Sequence, residues 1–247
     1  MFRISLDKEV DLSKAVVMIS FPTVGNVSSI AANYLVKKLG LKRIGAITSK
    51  RFLPSAVIED YVPMPPVRIY AGHYKCGPIK DCETFAVILS EISPPEDVVH
   101  DLAEEIVKWC KEKKARYLVT MVGLKVSPDE TLQPEIYGTA TREETRRMLE
   151  EKDTKLLEKA IIGGMTGALL SMGEEIDMIA LVAQAHENYP EAGAAARLIE
   201  TVDKVLVRLD ISLEPLYREA EEMEAEIKTN LKGVPRGPGE APPAMYR

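Results

Sequence analysis

The sequence predicts an α/β fold: a single domain whose mostly parallel sheet carries helices on both faces, extended by an acidic helix and a flexible C-terminal tail. Three observations point there. Strand-length apolar runs alternate with helically periodic segments from residue 15 to residue 208, with no linker between them. The first three elements read as strand, helix and strand joined by short loops, which is the βαβ unit of a parallel sheet. The charge pattern then changes at residue 213, and all periodicity is lost beyond residue 231.

Ala15–Ile19 is a continuous apolar run, as a strand buried on both faces requires. Val24–Leu39 follows with Val27, Ile30, Ala31, Tyr34 and Leu35 at helical spacing and Gly40 as the stop, and Arg43–Thr48 is the next strand. From Val57 to Ser90 the prolines at 63, 65, 66 and 78 separate short β-rich pieces: Val67–Ala71, a segment near Tyr74, and Thr84–Leu89. This predicts an antiparallel or meander insertion. Ser93, Pro94 and Glu96 have capping-box spacing with proline at the first helical position, opening a helix to about Lys114. Tyr117–Val122 is a buried strand ended by Gly123, and Ile136–Ala140 is a short strand. Thr141 and Glu144 repeat the capping-box spacing before a helix to about Glu151. A helix from Met165 to Met172, a strand at Met178–Gln184 and a helix capped by Asn188 and running to about Arg208 complete the alternation.

The last helix, Leu213 to about Leu231, sets Leu213, Leu216, Ala220, Met223 and Ile227 at spacings of three and four opposite a glutamate-rich face. Such a stripe suits docking on its own domain or an oligomer seam. The division is then residues 1–231 as the folded domain and 232–247 as a Pro/Gly-rich tether, with an extended reach on the order of 45 Å.

The 247 residues are 46% hydrophobic and 28% charged, which excludes a disordered chain or a small disulfide-held scaffold. Thirty-two basic against 38 acidic residues leave a net charge of −6, and no stretch gathers Lys and Arg into a stripe. Nucleic acid is therefore not an expected partner. The apolar runs are far shorter than the roughly 20 residues of a bilayer crossing, so no membrane span is expected. Asp7 and Glu9 stand where a signal peptide would need an apolar core, which makes a cytoplasmic location the expectation.

Cys76 and Cys82 are six positions apart, unlike C-x-x-C, and Cys110 is remote from both. With His73 they offer three ligands, one short of a closed zinc site, so neither metal nor cofactor is expected. Buried thiols are the plain reading, and a Cys76–Cys82 bridge across a hairpin stays open. Gly163–Gly167 and Gly25–Asn26, each at a helix start, turn backbone N–H groups toward a prospective anion. Neither has phosphate-loop spacing, and close packing accounts for both. His186 and Glu187 follow a strand, where open α/β sheets place reactive groups, but no G-x-S-x-G elbow accompanies them. A histidine bonded locally near the next helix cap is the simpler account.

Met245, Tyr246 and Arg247 end the tether with an apolar side chain, a tyrosine and a free carboxylate. That layout suits insertion into a partner's pocket, with a lysine receiving the carboxylate. The tether by itself cannot offset its ordering entropy.

Pro22–Leu35, Pro65–Tyr70, Ile136–Ala140, Gly164–Leu170 and Ala185–Ala196, in this order, resemble the proteasome assembly chaperone family in its archaeal branch, over residues 10–231. The departure is Glu191, at a helix start, where the family pattern favours an aspartate followed by proline. The resemblance implies a phosphorylase/hydrolase-like domain without the catalytic site, forming a homo-oligomer that binds the proteasome α-ring. It also implies that Met245, Tyr246 and Arg247 are a hydrophobic-Tyr-X tail docking between α-subunits. Two other readings stand beside it. One is a phosphorylase- or hydrolase-type enzyme using Gly163–Gly167 for an anion and His186 or Glu187 for proton transfer. The other is an oligomeric scaffold that binds a paralogue with its tail not engaged.

Overall fold

The computed structural model describes residues 2–76, 82–126, 135–187, 190–207, 212–215, 217 and 218. In chain order the strands are β1 (Phe2–Leu6), β2 (Val16–Ser20), β3 (Lys42–Ser49), β4 (Val57–Glu59), β5 (Val62–Met64), β6 (Val67–Cys76), β7 (Cys82–Ser90), β8 (Tyr117–Lys125), β9 (Ile136–Ala140), β10 (Lys155–Leu156) and β11 (Asp177–Ala185). The helices are α1 (Val27–Lys38), α2 (Glu96–Glu112), α3 (Glu143–Glu151), α4 (Gly164–Leu170) and α5 (Ala192–Val202). A 3-10 turn, Val24–Asn26, precedes α1, and a π-helical turn, Asp203–Val207, extends α5.

Nine strands form one sheet in the order β1-β3-β6-β7-β2-β8-β11-β9-β10, and β4 and β5 form a separate hairpin. The centre is parallel: β7, β2, β8 and β11 run side by side in one direction. The flanks are not. β1 against β3, β3 against β6, β6 against β7, and β9 against β11 are all antiparallel. The sheet is therefore mixed, which corrects the expectation of a mostly parallel one. Continuous apolar runs report burial on two faces, and strand direction is set by the connections. The β2-α1-β3 crossover exists, but β6 and β7 lie between its two strands, inserted by the expected antiparallel excursion.

All five residues of β2 are buried, Val16 and Met18 on one face, Val17 and Ile19 on the other. Each face has its own helical layer. α1 and α5 cover the first, where Ala31, Ala32 and Ala194–Ala196 let the two helices approach closely. α2 and α4 cover the second, with Leu102, Ile106 and Trp109 from α2 and Met165 and Leu169 from α4. A side chain such as Leu102, with no exposed surface, contributes roughly 1.5–3 kcal/mol by burial. Thr120 of β8 and Thr166 of α4 meet inside the second layer, hydroxyl to hydroxyl at 2.6 Å. Leu213 is buried in the first layer, Tyr34 Oη donates to the Ser212 carbonyl (2.9 Å), and burial with a hydrogen bond to Glu200 raises the Tyr217 hydroxyl. The C-terminal helix thus begins docked on its own domain, while residues 219–247 lie outside the described residues.

Neither capping box forms. α2 starts at Glu96 behind the Pro94-Pro95 pair, without a side-chain cap. α3 starts at Glu143, because the Thr141 hydroxyl is engaged across the sheet, accepting from Met178 N–H (3.0 Å) and donating to Asp177. The helix stops are regular: α1 ends on Leu41 N–H to Val36 O and Gly40 N–H to Lys37 O, and α2 and α3 repeat this with Lys114 and Asp153 in the left-handed position. Gly123 does not end β8, which continues to Lys125. The residue is glycine because a backbone crosses it: a Cβ there would stand 2.1 Å from the Val24 carbonyl oxygen.

Replacing Gly123 by Ala should accordingly destabilise the protein by about 3 kcal/mol. Gly163→Ala, where nothing lies within 4 Å of the added carbon, should cost less than about 1 kcal/mol. Urea unfolding of the two variants reads this contrast.

Candidate functional site

Open α/β sheets bind ligands outside the carboxyl ends of their parallel strands. In this protein the turn Thr23–Asn26 lies there. Val24 presses its carbonyl onto Gly123 of β8, whose N–H donates to Thr23 Oγ1 (3.3 Å). Gly25, at φ 63°, takes a left-handed conformation in a place where a Cβ would stand 2.9 Å from Ala185 of β11 and 3.1 Å from Glu191. Its carbonyl accepts the Glu191 N–H (2.8 Å). The chain's own backbone thus sits across the ends of β8 and β11 and the start of α5.

Glu191 completes that closure. Its carboxylate is buried, and one oxygen accepts both the backbone N–H of His186 (3.3 Å) and the ring Nδ1–H. The Glu191 carbonyl in turn accepts Ala195 N–H as the first bond of α5 (3.0 Å). His186 is itself buried, its ring held on the Glu191 carboxylate at the start of α5. Glu187 turns the other way, pairing with Lys125 at the exposed surface. The two residues proposed for proton transfer therefore do not share a site.

The glycines of the enzymatic reading are also elsewhere. Gly163–Gly167 opens α4, in the α2/α4 layer, so the sheet separates it from Glu191 and His186. Its Thr166 hydroxyl is engaged with Thr120, and Gly167 is required beneath the Ile162 carbonyl, 2.2 Å from where a Cβ would be. Asn188, the expected cap of α5, is outside the described residues, and Glu191 occupies the N-cap position. Met245, Tyr246 and Arg247 are likewise outside them. Cys76 and Cys82 are Cα partners in the β6–β7 ladder, as the hairpin expectation requires, while His73 pairs with Thr84 beyond an irregularity in register. Among the described residues no group of His, Cys, Asp and Glu is arranged to hold a metal ion, and no helix is long and apolar enough to cross a membrane.

Sequence reasoning missed a buried charge. Arg68 of β6 is fully buried, donating to Glu91, to Tyr70 Oη (2.9 Å) and to the Pro65 and Pro66 carbonyls (3.4 Å each). Tyr70 Oη passes the chain on to Glu59 of β4 (3.2 Å). Burial opposes the Arg68 charge, yet the bonds to Glu91 and Tyr70 carry its pKa above the ordinary value. A lone arginine within Val67–Tyr70 was the available signal. A groove of about 790 Å³ opens at the other end of the sheet, near Tyr117 and Asp177. Along it Lys111 pairs with Glu175, and Asp177 accepts from the Thr141 and Thr145 hydroxyls.

Two outcomes follow from this arrangement. Glu191→Ala should lower stability by about 3 kcal/mol in urea unfolding, since it strips a buried imidazole and a backbone N–H of their acceptor. Burial pushes the Cys110 thiol far above its ordinary pKa, so iodoacetamide at pH 8 should leave Cys110 unmodified until the protein is unfolded, as read by peptide mass spectrometry.

Comparison with known proteins agrees with this geometry. The chain is 30% identical over 222 residues to the uncharacterized protein MJ0106 of Methanocaldococcus jannaschii, covering 89% of this chain and 87% of that one. It superposes on Pyrococcus furiosus PbaA, an archaeal homolog of proteasome-assembly chaperone, with a TM-score of 0.81 and 27% identity over 94% of this chain and 92% of that one. Pyrococcus furiosus PbaB, an archaeal proteasome activator, shares the fold at a TM-score of 0.80 and 20% identity, over 93% and 98% of the two chains. With residues 17–231 matching the family throughout and its mixed sheet and helical layers shared with these structures, the chain belongs to the PAC2 family.

Proposed function

We propose that the protein is a non-enzymatic proteasome assembly chaperone or activator of the cytoplasm that binds the proteasome α-ring through Met245, Tyr246 and Arg247. The observation that carries this reading is the likeness to PbaA over 94% of the chain, joined to a terminus of matching chemistry. In that role Met245 and the Tyr246 ring supply apolar contact, the Tyr246 hydroxyl supplies a hydrogen bond, and the Arg247 carboxylate meets a cationic side chain of the ring. One such tail binds weakly. Several copies held in a homo-oligomer raise the effective concentration of the second and later tails.

The turn Thr23–Asn26 supports the absence of catalysis, because it fills the place where an α/β enzyme would receive its substrate. His186 acts there as a fastening and not as a base. A scaffold that recruits a paralogue with its tail idle makes the opposite forecast for tail deletion.

The deciding experiment mixes the pure protein with a proteasome core particle, with and without residues 245–247, and measures co-migration and peptide hydrolysis. Deletion should weaken capture at least tenfold, and Tyr246→Ala should weaken it comparably. Undiminished capture by the truncated chain would refute tail docking and leave the family membership standing.

A further inference from the structure

The β6–β7 pair outruns its neighbours in the sheet. β3 leaves β6 at Lys42 opposite Ala71, and β2 meets β7 no earlier than Val16 opposite Phe85. Beyond those points β6 and β7 pair only with each other among the described residues, through His73 with Thr84 and Cys76 with Cys82. Between these two pairs lie Tyr74 and Lys75 on β6 but Glu83 alone on β7, a bulge that bends the ribbon and interrupts its ladder. Two side chains tie the base: the Tyr74 hydroxyl donates to the Leu39 carbonyl and the Thr84 hydroxyl to the Asp11 carbonyl (3.0 Å). His73 and Glu83 are exposed. A bulged two-stranded ribbon in that condition is marginal in water unless something closes its outer end.

The outermost pair is two cysteines. Directly opposed residues of antiparallel strands occupy one face of the ladder, with Cα atoms about 4.5–5.5 Å apart, within the roughly 4.4–6.8 Å that a disulfide spans. The third cysteine does not compete. Cys110 is fully buried in α2, and burial pushes its thiol far from ionisation.

We propose that Cys76 and Cys82 form a reversible redox site, a dithiol that a small disulfide such as oxidised glutathione converts to a cross-strand disulfide clasping the end of the ribbon. One cysteine thiolate attacks the small disulfide, forming a mixed disulfide and releasing one thiolate of the reagent. The second cysteine thiolate attacks the protein sulfur of that mixed disulfide and releases the other. Two electrons pass to the reagent and the two cysteine protons end on its two thiols, so each bond formed consumes one molecule of oxidant. A reducing compartment keeps the site as two thiols, and an oxidising shift closes it. The ribbon is then held at its base alone when reduced and at both ends when clasped. Neither cysteine lies in residues 232–247, so the site is independent of tail docking.

The test equilibrates the reduced full chain, without oxygen, in glutathione buffers of varied oxidised fraction, once native and once unfolded in urea. Samples are quenched in acid, their free thiols are blocked, and trypsin is added. Cleavage after Lys75, Lys80 and Lys108 places Cys76 on peptide 76–80, Cys82 on peptide 81–108 and Cys110 on a third. The first two peptides should appear joined, lighter by two hydrogen atoms than their sum, and should part on reduction. The native chain should form this bond with an equilibrium constant at least tenfold above that of the unfolded chain, because the ladder holds the pair in register. By linkage the same factor should favour the folded state of the oxidised protein and raise its urea midpoint, whereas Cys76→Ser, treated alike, should show no rise. Glutathione carried separately on Cys76 and Cys82 with no joined peptide, a bond to Cys110, a covalently dimeric chain, or a constant no higher in the native chain than in urea would each overturn the proposal.

Discussion

Glu191 and the turn Thr23–Asn26 hold one another, and the rest of the architecture is arranged around that contact. A buried carboxylate is costly unless its lone pairs are used, and here they receive an imidazole N–H and a backbone N–H while the residue's own N–H reaches Gly25. Charge-assisted bonds of this kind contribute about 1.5–3 kcal/mol each. They tie β11 to the start of α5 and to the approach into α1. The two helices can then lie close together over the sheet, on alanine faces. The same contact lays the backbone of Thr23–Asn26 across the carboxyl ends of β8 and β11.

A second buried polar centre acts on the periphery. Arg68 has no exposed surface to speak of, so its charge persists only because Glu91, Tyr70 and two carbonyls surround it. Through Tyr70 it reaches Glu59 of the β4–β5 hairpin. The tie meets the hairpin at Glu59, the residue just before its Asp60-Tyr61 turn.

Much of the central sheet was legible because parallel buried strands announce themselves as unbroken apolar runs. β2, β7, β8 and β11 all do so. The capping boxes misled, because Thr141 had a better use for its hydroxyl across the sheet and the Pro94-Pro95 pair delayed α2. β1, β10 and the β4–β5 hairpin escaped notice: two to five residues carry too little periodicity to separate a strand from a loop. Glu191 was visible only as a helix start, since its partner His186 is close enough in sequence to look incidental. The Arg68 network joins residues from 59 to 91, a convergence that no local pattern encodes.

Composition and periodicity alone determined that this chain folds as an α/β domain with an apolar layer on each face of its sheet, and where its central strands and main helices lie. Those are local properties, fixed by side-chain size, polarity and spacing. Only the tertiary structure decided the direction of the flanking strands, the closure of the sheet's carboxyl end, and the separation of His186 from Gly163–Gly167 by the sheet itself. Each of these depends on which distant segments share the burial of one surface, and that choice is made by the whole core at once.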